Sequence, residues 1–403
     1  MKNDLKISII VPVFNNFMKI LFKSIINDQK YLSFVFSLTI LIYSVSMIWL
    51  AVKGGVQHDY HGYLNQWNLV LSTSNPWSTD NAYGPLHNLL AYATYLGSLG
   101  PKLIMVSMLI IANALLVVEI WKTRKNINDY LIYFFAVPSN VLIISMAFIY
   151  GLNDTLVASF IVLAIIFRSR HQMVLAGGFL GFAILLKYYP LFLVPLFALQ
   201  KRHFNLRLIV SVIAVIVIGF LVAVVLWDTT FLTAFSLGVN RPPKILSILS
   251  VLRSYPNLVG GPEVLSFLIN KNVYFVITVE IFIIFVSWKL RLNWLEASVL
   301  GLLIVLLTYK VGHQQFFIPW LFMVASLPLV NTESARRLAW CCLPFVFFLS
   351  IFQWGYAYGS VLYPDVWGEV RRHVGFVSFP LGLLILISYF IARKNITKVD
   401  KSD

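Results

Sequence analysis

The chain alternates long apolar stretches with short polar joints. The apolar stretches lie at residues 31–52, 102–121, 130–149, 153–167, 173–186, 189–200, 208–227, 273–288, 293–309, 316–330, 338–354 and 375–392. Most approach the roughly 20 residues that a helix needs to span the hydrocarbon core of a bilayer. Only helices and closed barrels satisfy every backbone polar group in lipid, so runs this apolar predict buried or lipid-facing helices. The pattern therefore predicts an all-α, polytopic integral membrane protein with about twelve crossings. Segment 189–200 departs from the rule: it is short and carries Pro190 and Pro195, which predicts a broken or tilted helix. No soluble domain of useful size fits between the stretches. Residues 1–30 read as a cytoplasmic segment, 31–392 as the membrane domain and 393–403 as a cytoplasmic tail.

Composition changes the picture only in detail. Hydrophobic residues make up 59% of the chain and charged ones 12%, against about 25% charge in a soluble domain. The net charge of +15 does not imply nucleic acid, because the basic residues do not gather on one soluble face. They sit in short clusters between apolar runs, such as Arg168 with Arg170 and Arg336 with Arg337. Placing most of these clusters on the cytoplasmic side puts both termini inside. Cys341 and Cys342 are adjacent in an apolar run, which argues against a disulfide framework. The first apolar stretch begins near Tyr31, too far in and too long for a cleavable signal.

This orientation leaves long outer segments at about 53–101, 228–272 and 355–374, while the inner joints are short and basic. Loops on a rigid scaffold are where sites concentrate, so function is expected to face away from the cytosol. In the first outer segment Asp59 lies a few residues beyond the first span, between His58 and His61, with Tyr60, Trp67, Trp77 and Tyr83 nearby. A carboxylate there is well placed as a base for a substrate whose lipid tail stays in the bilayer. The alternative is a solvated loop acid, or a helix cap before Tyr60. The aromatic residues are able to stack on sugars, or to form an interfacial belt. His87 to Leu99 is amphipathic and predicts a helix lying along the membrane surface. His58, Asp59 and His61 match no established zinc spacing, and no glycine loop for phosphates is present. No cofactor is expected, and a divalent metal is not favoured.

One span, an acid just beyond it, a long loop and then Tyr83-Gly84-Pro85 resemble the GT-C superfamily of membrane glycosyltransferases. The narrower likeness is to polyprenol-phosphate-mannose-dependent mannosyltransferases. Three later segments agree with it: Tyr150-Gly-Leu-Asn-Asp154, Lys187-Tyr188-Tyr189-Pro190, and Tyr309-Lys310-Val-Gly-His313-Gln314-Gln315. The resemblance covers most of 31–392. It implies a sugar donor on a polyprenyl phosphate and a glycolipid, glycan or protein acceptor, with Asp59 as general base. It implies phosphate contacts from His313, Lys187, Lys310 and Arg241, with Lys244 and Arg253 as further cations. Substrate contacts fall to Asp154, Tyr60, His61, Tyr83 and Gln314. Asp154 reads equally as a helix cap, and the lysines as side chains snorkelling from helix ends. Separately, Lys6 to Asn16 and Ser24 to Gln29 resemble the opening strand and helix of soluble family 2 glycosyltransferases, without their metal-binding acids.

Two rivals remain. A transporter or lipid-glycan flippase would use ionisable groups near mid-membrane, and Glu280 sits midway along its span. An outer-face glycan polymerase or ligase would draw on Arg371 and Arg372 in the last outer segment.

Overall fold

The computed structural model describes residues 29–399 except 58, 73–74, 79–80, 124–126, 201–202 and 331. The stretch resembling family 2 glycosyltransferases, apart from Gln29, lies outside these residues, as does His58. The fold is helical almost throughout, and a helix coincides with each of the apolar stretches.

The helices fall into two length classes. Among the described residues seven are long and apolar enough to cross a membrane: Ser37–Gly54, Gly100–Thr123, Asn128–Ile149, Leu206–Leu237, Asn272–Lys289, Glu333–Leu362 and Gly375–Arg393. The segments Met173–Leu186, Tyr189–Ala198, Trp294–Thr308 and Gln314–Leu329 are shorter. Burial separates the ends of this range. Asp154–Ser169 buries 13 of its 16 residues and Phe317–Ser326 buries all 10. Leu206–Trp227, though apolar all round, buries only Leu208, Val212 and Ala223 among its 22 residues. An apolar face that no protein covers belongs against lipid. The short helices therefore form the centre and the long ones a jacket around much of it.

The described part of residues 53–101, expected above to be the first outer segment, is a folded layer. Its helix Asp59–Leu71 buries Tyr60, Tyr63, Trp67 and Val70 on one face, positions set by the three-to-four-residue helical spacing. The surface helix expected over 87–99 takes the form of two short pieces, the α-helix Pro85–Leu89 and the tighter 3-10 helix Leu90–Leu96. Pro85 starts the first piece, and Gly97, at φ 100°, ends the second. The amphipathic character survives: His87 and Asn88 are buried, while Tyr95 and Leu96 are 77% and 79% exposed.

Of two small sheets, the first is a local hairpin and the second ties distant segments together. Strand β1 (Leu199–Gln200) pairs antiparallel with β2 (His203–Phe204). Strand β3 (Lys244–Ile245) pairs parallel with β4 (Val311–Gly312), matching Lys244 to Val311. A Cβ on Gly312 would stand 2.5 Å from the Ser247 nitrogen, so only glycine permits this approach. The pairing brings the second outer segment onto the segment that carries His313.

Candidate functional site

The Asp154–Ser169 helix begins just beyond a π-helical turn, Ile144–Ile149, a distortion often found at functional sites. Asp154 is fully buried. One carboxylate oxygen accepts from Lys187 Nζ at 2.6 Å, and the other from the Tyr189 hydroxyl at 3.1 Å. Lys187 Nζ also lies 4.4 Å from the centre of the Phe316 ring and 5.3 Å from that of Tyr83. The first outer layer closes over this pair. The Gly84 amide donates to Leu186 O at 3.0 Å, and the Tyr83 hydroxyl to that of Tyr63 at 3.3 Å.

Asp59 stands in the first turn of its helix, exposed and without a side-chain hydrogen bond among the described residues. Tyr63 and Trp67 follow at four-residue steps along the same face. Burial pushes the phenols of Tyr63 and Tyr83 well above their ordinary range, and the charges of Asp59 and Asp154 act in the same direction. Burial also lowers the Lys187 ammonium. Asp154 and Asp59 oppose that shift, while Arg241 adds to it. Asp59, Tyr83, Asp154, Lys187 and Arg241 thus share one electrostatic neighbourhood.

His313 joins them from the late outer segment. Crowding by protein drops its imidazole to about 3, and Lys187, Arg241, Lys244 and Arg371 all push the same way. The ring is therefore neutral at pH 7 in a cationic field. Two cavities carry the cations. One of about 450 Å³ is lined by Arg241, Arg253 and Lys310 among others, and one of about 230 Å³ by Lys244, Arg371 and Arg372 among others. Next to His313, Asp154 and Lys187 in the chain, Gln314 Oε1, Asn153 Oδ1 and the Tyr188 hydroxyl are buried without hydrogen-bond partners among the described residues, which is uncommon for buried polar atoms.

Several expectations need correction. Tyr60 is fully buried, and its hydroxyl donates to Ser98 O at 2.8 Å and accepts from the Lys102 amide at 3.1 Å. It holds the outer layer together and presents nothing to a substrate. His61 is exposed, but at two positions from Asp59 the helix turns it onto another face. Lys187 is not a free phosphate ligand, since Asp154 neutralises it. Asp154 is correspondingly its counter-ion. Lys310 reaches Ile269 O at 3.4 Å and lines the Arg241 cavity. Trp67 and Trp77 are buried; Trp77 packs edge-on against Trp227, with ring centres 5.5 Å apart.

Lys102 was not anticipated. Fully buried, it donates to Gly55 O at 2.9 Å and to Ile149 O, clamping the exits of two helices together beneath the layer. Read as the polar edge of a span, it gave no signal in the sequence. Tyr63 was legible in principle, four residues after Asp59. Among the described residues no group of three or more His, Cys, Asp and Glu is placed to hold a metal. No protein-family model matches the chain, and no curated protein is significantly similar to it.

Proposed function

We propose that this protein transfers a sugar, of the mannosyl type in the family it resembles, from a polyprenyl-phosphate donor to a hydroxyl acceptor at the membrane surface, with Asp59 as general base. The observation that carries the reading is that Asp59, without a side-chain hydrogen bond among the described residues, and Arg241 both act on Lys187 and Tyr83, while Arg241, Lys244 and Arg371 act on His313. Asp59 comes from one outer segment, Arg241 and Lys244 from a second, His313 from the late segment, and Arg371 from the last.

The chemistry follows from the charges. The acceptor hydroxyl attacks the anomeric carbon and gives its proton to Asp59. The bond to the prenyl phosphate breaks, and negative charge grows on the departing phosphate. Arg241, Lys244 and Arg371 stabilise that charge through a preset field, and neutral His313 can donate one hydrogen bond to it. Lys187, held by Asp154, keeps the floor of the site in shape. The short central helices support a lipid-borne substrate. Asp154–Ser169 has 16 residues, or about 24 Å at 1.5 Å per residue, against a hydrocarbon core of roughly 30 Å. In this reading the shortfall falls at the outer end, which would set Asp154 below the membrane surface and within reach of a donor entering sideways from lipid.

In this reading the chain crosses the membrane about twelve times, with both termini cytoplasmic and the site outside. The decisive experiment incubates the purified protein with a panel of prenyl-phosphate sugars and follows release of prenyl phosphate. Asp59→Asn should abolish transfer while expression and melting stay normal; retained transfer removes the assignment. Glu280 favours the transporter alternative, being buried with both carboxylate oxygens unpartnered among the described residues. It lines none of the cavities described above. Substrate movement across vesicles that is lost in Glu280→Gln but kept in Asp59→Asn would decide for that alternative.

A further inference from the structure

At the other end of the Asp154–Ser169 helix, away from Asp59, lies a cavity of about 390 Å³. Among the residues lining it are Arg168, His171, Arg291, Trp294, Glu296 and Arg393. Arg168 is 3% exposed. Its guanidinium donates to Leu199 O at 2.9 Å and to Met173 Sδ at 2.8 Å, and lies 5.0 Å from the centre of the Trp294 ring. Its Nε is buried and has no hydrogen-bond partner among the described residues.

The one acid of the cavity is already committed. Glu296 accepts from Thr332, Ser334, Tyr389, Arg393 and the Asn293 amide. Pairing Glu296 with Arg393 leaves the charges of Arg168 and Arg291 uncompensated within the cavity lining. Neither has an acidic partner among the described residues. Arg291 and His171 both sit at helix ends in the left-handed region, at φ 51° and 60°. Glycine would adopt that conformation more cheaply, yet both positions on this rim carry basic side chains.

We propose that this cavity binds a phosphate group through Arg168 and Arg291, carried either by a lipid headgroup of the adjoining leaflet or by a soluble molecule. A buried planar guanidinium, a second exposed one and an apolar wall suit a phosphate better than a cation. Basic pockets between membrane helices are established places for anionic headgroups. The proposal needs neither Asp59 nor a sugar donor, so it stands or falls apart from the transferase reading.

The test measures melting of the full-length protein in neutral maltoside detergent, with titrations of phosphatidylglycerol, inorganic phosphate, or chloride at matched ionic strength. The wild-type protein should melt higher with one of the phosphate-bearing probes than with chloride. A response to phosphatidylglycerol alone assigns the site to a lipid, and a response to inorganic phosphate assigns it to a soluble ligand. Arg291→Glu, an exposed position, should weaken the responding probe by at least about tenfold, the order expected for losing a charge-assisted contact. Arg291→Lys should recover part of it. Arg168→Gln should abolish the response if it folds. A response unchanged in Arg291→Glu belongs elsewhere on the protein and overturns the proposal, as does a wild type that responds to neither probe.

Discussion

Asp154 and Lys187 are 33 positions apart in the chain and 2.6 Å apart in space, and much of the site depends on that contact. Removing one partner of a buried ion pair strands the other charge, at a cost of about 3–5 kcal/mol. Lys187→Met and Asp154→Asn should each lower melting in detergent markedly, and the double variant should lose less than the sum of the two. Strict additivity would show that the pair is not coupled. His313 allows a test by pH. Its folded value is about 3, against roughly 6.5 in an unfolded chain. Between those values the unfolded state holds a proton that the folded state lacks, so stability falls as pH drops from about 6.5 toward 3. His313→Asn should flatten that decline. Buried His87, also lowered to about 3, contributes the same trend and persists in the variant, so the flattening should be partial.

At the scale of elements, the outer layer owes its position to close backbone contacts. Gly84 is the clearest case. A Cβ there would stand 2.2 Å from Leu185 O, and the Gly84 amide bonds Leu186 O. Gly84→Ala should force the layer off the Lys187 turn and cost about 1–3 kcal/mol by overpacking. In the proposed function it should also reduce sugar transfer more than it reduces expression. Tyr60→Phe offers a probe of the same layer, since it removes the bonds to Ser98 O and the Lys102 amide and leaves the ring in its core. Its expected loss is about 2 kcal/mol, the net worth of two hydrogen bonds, read from melting temperature. The helical runs themselves were legible from apolar length, including those whose helices are shorter than the seven long ones. The layer was less so, because its aromatic residues read equally as a surface belt and as a buried core until their partners were known.

For the molecule as a whole, sidedness is the claim most open to direct measurement. His61→Cys and Gln172→Cys sit at opposite ends of the helices and are both exposed. In intact cells an impermeant thiol reagent should label the first and spare the second until the membrane is opened; the reverse pattern would invert the proposed topology. The all-helical, membrane-type architecture was fixed by the chain alone. Apolar runs near the thickness of a bilayer have few other stable solutions, and that constraint acts within each segment. Asp59, Asp154 and His313 could also be marked as candidates from local pattern. Their chemical roles could not, because a side chain's charge depends on what folding places beside it. Only the tertiary structure paired Lys187 with Asp154, spent the Tyr60 hydroxyl on Ser98, and used the β3–β4 bridge to bring Lys244 near His313. Those contacts join segments far apart in sequence, and Coulomb forces between them decay over ångströms of space, not over positions along a chain.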